Sequence, residues 1–281
     1  MDMRMQAKKA EQFRKLHHGP RMLLLPNAWD VASARILEEW HPAIATTSAG
    51  IAYSLGYPDG QHISRGEMLE VVGRIARAVR IPVTADLEAG YGTIVKDMAE
   101  TVKAAIEAGA IGMNLEDVTG DEERSQVALP LQVEKIRAVR ETAKSLGVPF
   151  VLNARTDVFL MPIGPEPTRF ERTVERLRAY RDAGADCLFI PGLYDRDTIA
   201  KLVKAVEAPL NILANPACPP LAELEKIGVA RVSSGSGIMR AAMGTVQRIG
   251  KEMLEARSCE MVFAGATPYI ELQRMMTRPL S

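Results

Sequence analysis

Eight short apolar runs, each followed by a longer stretch with helical spacing and a charged face, pace the chain from residue 22 to residue 255. The runs are 22–26 (MLLLP), 43–46 (AIAT), 82–85 (PVTA), 111–115 (IGMNL), 149–153 (PFVLN), 187–190 (CLFI), 209–213 (PLNIL) and 229–233 (VARVS). Helical stretches lie near 30–40, 64–79, 96–108, 132–146, 168–183, 195–206, 220–227 and 236–255. Eight strands each followed by a helix is the count that closes a parallel (β/α)8 barrel of the TIM type, so the fold class is α/β. Gly109, Gly184 and Gly228 each stand between a helical stretch and a strand, where a glycine can take the left-handed conformation that ends a helix. The structural rival is a doubly wound open sheet. A dinucleotide-binding sheet of that kind would carry a glycine-rich first turn, and Pro26-Asn27-Ala28-Trp29 is not one.

The 281 residues suit one such barrel, 1–281, with a leading helix over 1–19 and a C-terminal helical extension over 262–281. That extension either covers the barrel's own bottom or packs on a neighbouring subunit. Lys plus Arg and Asp plus Glu both number 35, so charge offers no reason to expect nucleic acid or an anionic membrane as partner. The N-terminal stretch has no apolar core of the secretory kind, and no run is long enough for a bilayer. Cys187, Cys218 and Cys259 share no metal-type spacing and read as free thiols of a cytoplasmic protein.

Barrel chemistry collects at the C-terminal ends of strands. In order these hold Asn27; Ser48, Ala49 and Gly50; Asp86 and Glu88; Glu116 and Asp117; Asn153 and Arg155; Asn215; and Ser233, Ser234 and Gly235. Asp86 and Glu88 are two apart, so in an extended segment they point the same way, and Glu116 follows the adjacent strand. Crowded carboxylates repel unless a cation sits among them, and Mg²⁺ suits oxygen donors with several waters. Solvated acids or salt bridges account for the same spacing as well. Arg155 could grip a carboxylate bidentately, or serve as counter-ion to Asp157 and the nearby acids. Ser234–Gly237 opens the last helix, either as an anion-binding N-terminus or as a plain N-cap.

Five motifs in order, LLLPNAWD, TTSAG followed by SLGYPDG, TADLEAGYG, GMNLED and NARTD, resemble the isocitrate lyase/phosphoenolpyruvate mutase superfamily. The likeness is strongest to its short bacterial phosphoenolpyruvate phosphonomutase-like branch. That resemblance implies Mg²⁺, with Mn²⁺ as an alternative, at Asp86, Glu88 and Glu116, with Asp59 in support. It further implies a substrate carboxylate at Ser48, Ala49, Gly50 and Arg155, and a polar substrate contact at Asn215. It also implies a homodimer or homotetramer in which C-terminal helices are exchanged between subunits.

Two departures stand out. Glu88 occupies a position that better-known members fill with Asp. The stretch 118–126, where the lyases carry a Lys-Arg-Cys-Gly-His segment, has no cysteine, histidine or lysine. The expected chemistry is therefore lyase-like cleavage of a C–C or P–C bond in a small 2-oxo-carboxylate or phosphonate through an enolate, such as decarboxylation of an oxaloacetate-like acid. Tyr91, Asp117 and Glu122 are candidate proton handlers. Rivals are phosphonomutase or phosphonopyruvate hydrolase activity, a non-catalytic 2-oxo acid binder, and a phosphate-binding isomerase using Ser234–Gly237. Specificity is expected in the loop after the fourth strand and around Pro191–Tyr194.

Overall fold

The structure, a computed structural model, describes residues 2–118, 125–161 and 163–277. Its parallel strands are β1 (Leu23–Leu25), β2 (Asn27–Ala28), β3 (Ile44–Thr46), β4 (Val83–Asp86), β5 (Gly112–Leu115), β6 (Val151–Arg155), β7 (Cys187–Ile190), β8 (Leu210–Leu213) and β9 (Arg231–Ser233). They pair in chain order from β2 to β9, and β9 then pairs with β1. β1 and β2 are halves of one stave parted by Pro26, which has no N–H to contribute to a ladder. Eight staves thus close into a barrel, and the open doubly wound alternative is excluded. β4, β6 and β8 start a residue or two later than their apolar runs because Pro82, Pro149 and Pro209 head those runs.

The helices are α1 (Met3–Leu16), α2 (Val31–Glu38), α3 (Ser48–Ser54), α4 (Arg65–Ala78), α5 (Val95–Ala108), α6 (Leu129–Ser145), α7 (Arg169–Asp182), α8 (Arg196–Val206), α9 (Leu221–Lys226), α10 (Gly237–Glu255), α11 (Glu260–Phe263) and α12 (Tyr269–Met276). Reciprocal capping boxes start α2 (Asp30 with Ser33) and α4 (Ser64 with Glu67). Gly109, Gly184 and Gly228 have φ of 100°, 109° and 93°, as their position between helix and strand predicts. At each, the glycine and the residue after it donate back to the last helical turn, for example Gly109 N to Ile106 O at 2.9 Å and Ala110 N to Ala105 O at 3.0 Å.

The leading helix α1 closes the floor of the barrel. It buries Ala10 and Phe13, and Gln6 Nε2 donates to the carbonyls of Ile106 and Ala110 just before β5, both at 2.8 Å. Inside that floor the guanidinium of Arg231 on β9 lies over the Phe13 ring, 5.9 Å from its centroid.

The wall beside β1 is different. Leu24 points outward and is 40% exposed, Leu221 is exposed, and α10 buries only Met239 while exposing Met243, Val246 and Leu254. The last barrel helix therefore does not cover its own first stave. Further on, α12 docks against α2, where Arg35 Nη1 donates to the carbonyls of Met275 (2.8 Å) and Met276 (2.7 Å). Among the described residues no helix is long and apolar enough to cross a membrane.

Candidate functional site

The C-terminal mouth of the barrel holds a cavity of about 190 Å³. Its wall includes Asn27, Ser48, Ala49, Asp59, Asp86 and Asn114, with Arg155, Phe189, Pro191 and the Ser233–Ser236 turn opposite. Asp86 and Asp59 are the acids on that wall, and the orientation of Asp86 is built in. Ser48 donates to Oδ2 through its N–H (3.0 Å) and hydroxyl (2.8 Å), and Asn114 Nδ2 reaches Oδ1 at 3.3 Å. Asn153 Nδ2 in turn donates to Asn114 Oδ1 at 2.7 Å, so β6, β5 and β4 pass one chain of polar contacts to Asp86.

Ser48, Ala49 and Gly50 do not sit in a loop. They form the first turn of α3, capped by Thr47, whose side chain accepts from Gly50 N at 3.3 Å. This helix was not expected from a run of small residues. It places Ser48 and Ala49 on the cavity wall while committing the Ser48 and Gly50 amides within the protein.

Glu88 and Glu116 stand behind Asp86, buried, rather than on the cavity wall. Glu88 accepts from Tyr91 Oη at 2.9 Å and from Gln61 N at 2.5 Å. Burial pushes its carboxyl up to about 7, the two hydrogen bonds pull it down, and repulsion from Asp86 and Asp59 adds to the rise. Glu116 pairs with Arg155 Nη1 at 2.8 Å. Burial raises its carboxyl, Arg155 opposes this, and Asp157, Asp86 and Glu88 raise it again. Among the described residues no three His, Cys, Asp or Glu side chains converge closely enough to hold a cation by themselves.

Arg155 lines the cavity and is itself gripped from behind. Asp157 accepts from its Nε (2.5 Å) and Nη2 (2.8 Å), in addition to the pair with Glu116. Burial lowers the guanidinium's proton affinity, but Glu116 and Asp157 outweigh that and hold it charged. A guanidinium has five N–H donors, so the three contacts leave two for a ligand. Both readings of this arginine, counter-ion and carboxylate grip, are thus compatible in one side chain.

Besides Gly50, Glu88 and Glu116, three further expected residues do not line the cavity. Asp117 faces away from it, wholly buried, and accepts from Arg176 Nε, Tyr180 Oη and Thr156 Oγ1 (each 2.7 Å), Asp157 N (3.0 Å) and Gln126 Nε2 (3.1 Å). It secures the β5–β6–α7 corner and is not part of the cavity lining. Asn215 is exposed and turns back to accept from Ala217 N at 2.9 Å. Tyr91 is committed to Glu88 and lines a separate, larger cavity of about 870 Å³ outside the mouth. Glu122 lies outside the described residues; the stretch that carries it starts and ends at an antiparallel bridge between Val118 and Gln126.

Two residues on the wall went unassigned in the sequence, Asn114 and Asn27. Asn114 is two positions before Glu116, on the same inward face, which strand alternation makes visible. Asn27 Oδ1 accepts from Ser234 N (3.0 Å) and Gly235 N (2.9 Å). Two of the amides that an anion at Ser234–Gly237 would use are therefore taken by a side chain. Ser236 stands at the N-cap of α10 without a side-chain cap bond.

A family model described as phosphoenolpyruvate phosphomutase matches residues 13–254. A solved structure from Burkholderia cenocepacia J2315, assigned only as a lyase/mutase, is 40% identical with a TM-score of 0.91, covering 98% of each chain. An uncharacterized protein of Mycobacterium tuberculosis, Rv1998c, is 32% identical over 93% of this chain and 94% of its own length. The oxaloacetate decarboxylase of Ectopseudomonas mendocina is 26% identical over 89% of this chain and 86% of its own. The chain belongs to the phosphoenolpyruvate phosphomutase family, within the isocitrate lyase/phosphoenolpyruvate mutase superfamily of lyases and mutases.

Proposed function

We propose that the protein is a cytoplasmic, Mg²⁺-dependent enzyme, with Mn²⁺ as an alternative ion, that binds a small 2-oxo-carboxylate in the 190 Å³ cavity and cleaves a C–C bond in it. The observation that carries this reading is the meeting in one cavity of the fixed carboxylate of Asp86 and the largely buried guanidinium of Arg155. The volume is below the ~300 Å³ typical of drug-sized ligands and suits a small acid.

The donor set fits the ion. Mg²⁺ is usually held by one or two carboxylates and several waters, so it needs no three-carboxylate cage. Asp86 at the wall with Glu88 and Glu116 behind it supplies that pattern, and their mutual repulsion is what a cation would relieve. A bound Mg²⁺ supplies a Lewis acid for a 2-oxo group. The chain's own residues do the rest. The two uncommitted N–H groups of Arg155 take the substrate carboxylate, and Asp59 stands at the exposed rim. Phe189 and Pro191 shield one side, so charge developing on the enolate oxygen is met by fixed dipoles and a charge that water does not screen.

Oxaloacetate is the first substrate to try, because decarboxylation leaves a pyruvate enolate and CO2 and demands no strong protein base. Cleavage of a P–C bond in phosphonopyruvate, or phosphonomutase chemistry, is the second reading, supported by the family model. The occupied amides at Ser234 and Gly235 speak against the phosphate-binding isomerase. Uncovered Leu24 and the apolar residues of α10 support a homodimer or homotetramer in which a neighbouring barrel covers this face, while α12 stays against α2 of its own chain.

The test is a screen of oxaloacetate, pyruvate and phosphonopyruvate on chelator-stripped protein with and without Mg²⁺, read by release of CO2, pyruvate or phosphate and by calorimetry. Mg²⁺-dependent turnover of oxaloacetate is expected. Mg²⁺-dependent binding without turnover would make the protein a 2-oxo acid binder, and absence of Mg²⁺-dependent binding sinks the reading.

A further inference from the structure

Three residues with side chains hold left-handed backbone at the barrel mouth: Gln61 (φ 60°), Glu88 (φ 51°) and Tyr91 (φ 55°). Such a conformation costs about 1–3 kcal/mol at each site and persists only where the surroundings over-determine it. Here the three determine one another. Gln61 N donates to Glu88 Oε2 at 2.5 Å, Tyr91 Oη donates to Glu88 Oε1 at 2.9 Å, and Tyr91 N donates to Gln61 Oε1 at 2.8 Å. The main chain of Glu88 is fixed as well, because its carbonyl accepts from Glu116 N at 3.0 Å. Four hydrogen bonds, two of them on its oxygens, therefore hold in place a carboxylate that is almost entirely buried.

A plain surface turn would not need this arrangement. The bonds converge on the carboxylate oxygens, and one protein donor is spent on each. A carboxylate oxygen has two lone pairs, so each keeps one for a further donor. Neither oxygen belongs to the cavity wall, whose acids are Asp86 and Asp59. The extra methylene of Glu relative to Asp is what lets the carboxylate span to Gln61 and Tyr91 at once.

We propose that Gln61 and Tyr91 are positioning residues whose clamp keeps Glu88 from contacting the cation directly and makes it a fixed acceptor for water in the cation's shell. This rests on the metal site of the preceding section. It assigns Gln61 a role that no motif suggested, and it gives Tyr91 a task other than proton transfer. It also explains how Glu serves where a shorter acid would be expected: the longer arm is tied down rather than left to reach the ion.

The test is Mn²⁺ binding to metal-stripped full-length protein, followed by the paramagnetic resonance signal of the free ion, with melting temperature recorded alongside. Tyr91→Phe removes one donor and keeps the ring. Its Mn²⁺ affinity should fall about tenfold, in line with the loss of an outer-shell partner, with the melting temperature little changed. Glu88→Asp shortens the arm so that it no longer reaches Tyr91. Adding Tyr91→Phe to Glu88→Asp should then change affinity less than about twofold, since the two sites are coupled only through that bond. Gln61→Gly keeps the donating N–H and accepts the positive φ but loses the oxygen that fixes Tyr91; it should weaken Mn²⁺ binding in the same direction. Wild-type affinity in Tyr91→Phe overturns the proposal, and so does an equal loss in the Glu88→Asp background. Wild-type protein that holds no Mn²⁺ overturns the metal reading of the preceding section and this proposal together.

Discussion

Replacing Glu88 with Gln in metal-free protein should change how stability depends on pH, and the size of the change follows from the site. Burial, reinforced by Asp86 and Asp59 and opposed by the bonds from Tyr91 and Gln61, raises the folded-state pKa of Glu88 from an ordinary 4.5 to about 7. Between those values the folded protein keeps a proton that the unfolded chain has released. The folded state is thus favoured by this group below pH 4.5, and the advantage is lost as pH rises through 7. A rise from 4.5 to about 7, at about 1.4 kcal/mol per pH unit, amounts to about 3.5 kcal/mol as a ceiling, of which most falls between pH 5 and 8. Gln does not titrate, so the variant lacks this loss. It does set its own amide against Gln61 N, but that cost is the same at every pH. Urea unfolding of both proteins in chelator at pH 5, 6, 7 and 8 should show the stability difference moving by up to about 3 kcal/mol in favour of the variant. Mg²⁺ should reverse the trend, stabilising the wild type more at pH 8 than at pH 6, because a cation favours the ionised carboxylate. Two unfolding curves that stay parallel from pH 5 to 8 would refute the reasoning.

Asp117→Asn leaves Arg176 buried without its counter-charge and should destabilise the fold by about 3 kcal/mol by urea unfolding, while protein that remains folded keeps its Mg²⁺ affinity; a loss of metal binding would reassign Asp117 to the site. Arg155→Lys keeps the charge but not the fork held by Asp157 and Glu116, so steady-state kinetics on the best 2-oxo acid should show kcat/KM reduced at least about 100-fold; near-wild-type kinetics would remove Arg155 from substrate binding. Leu24→Asp places a charge on the uncovered outer face of β1 and should reduce the assembly toward monomer in light scattering; an unchanged mass would show that the face is not part of an interface.

The barrel was legible because its cues are local. Apolar runs, prolines ahead of strands and glycines at helix ends act within a few residues, and Gly109, Gly184 and Gly228 take the positive φ their position demands. The inward face of β5 was legible in the same way. Alternation puts Asn114 with Glu116 on one side and Asp117 on the other, and applying it would have moved Asp117 from the site to the β5–β6–α7 corner. What the chain does not show locally is which partner a polar group finds. Asn215 ends a strand yet bends to its own loop, and Ser48 heads a helix because Thr47 caps it. The ring of Gln61, Glu88 and Tyr91 joins two loops 27 positions apart, and no spacing rule anticipates it.

Pro26 does more than interrupt a stave. Below it, Leu23–Leu25 are stitched by main-chain bonds to β9; above it, Asn27 and Ala28 belong to the β3 side. At the rim, then, the two margins of the sheet are laced by side chains: Asn27 receives Ser234 N and Gly235 N on the same oxygen and returns its Nδ2 to Thr46 O at 2.7 Å, and the Ser234 hydroxyl accepts from Asn27 N at 3.0 Å. The width of the mouth at this point is set by the reach of an amide and a hydroxyl side chain instead of by a ladder. An exchange at position 27 could therefore widen or narrow the entrance for bulkier acids while the floor of the barrel, sewn by backbone, stays as it is.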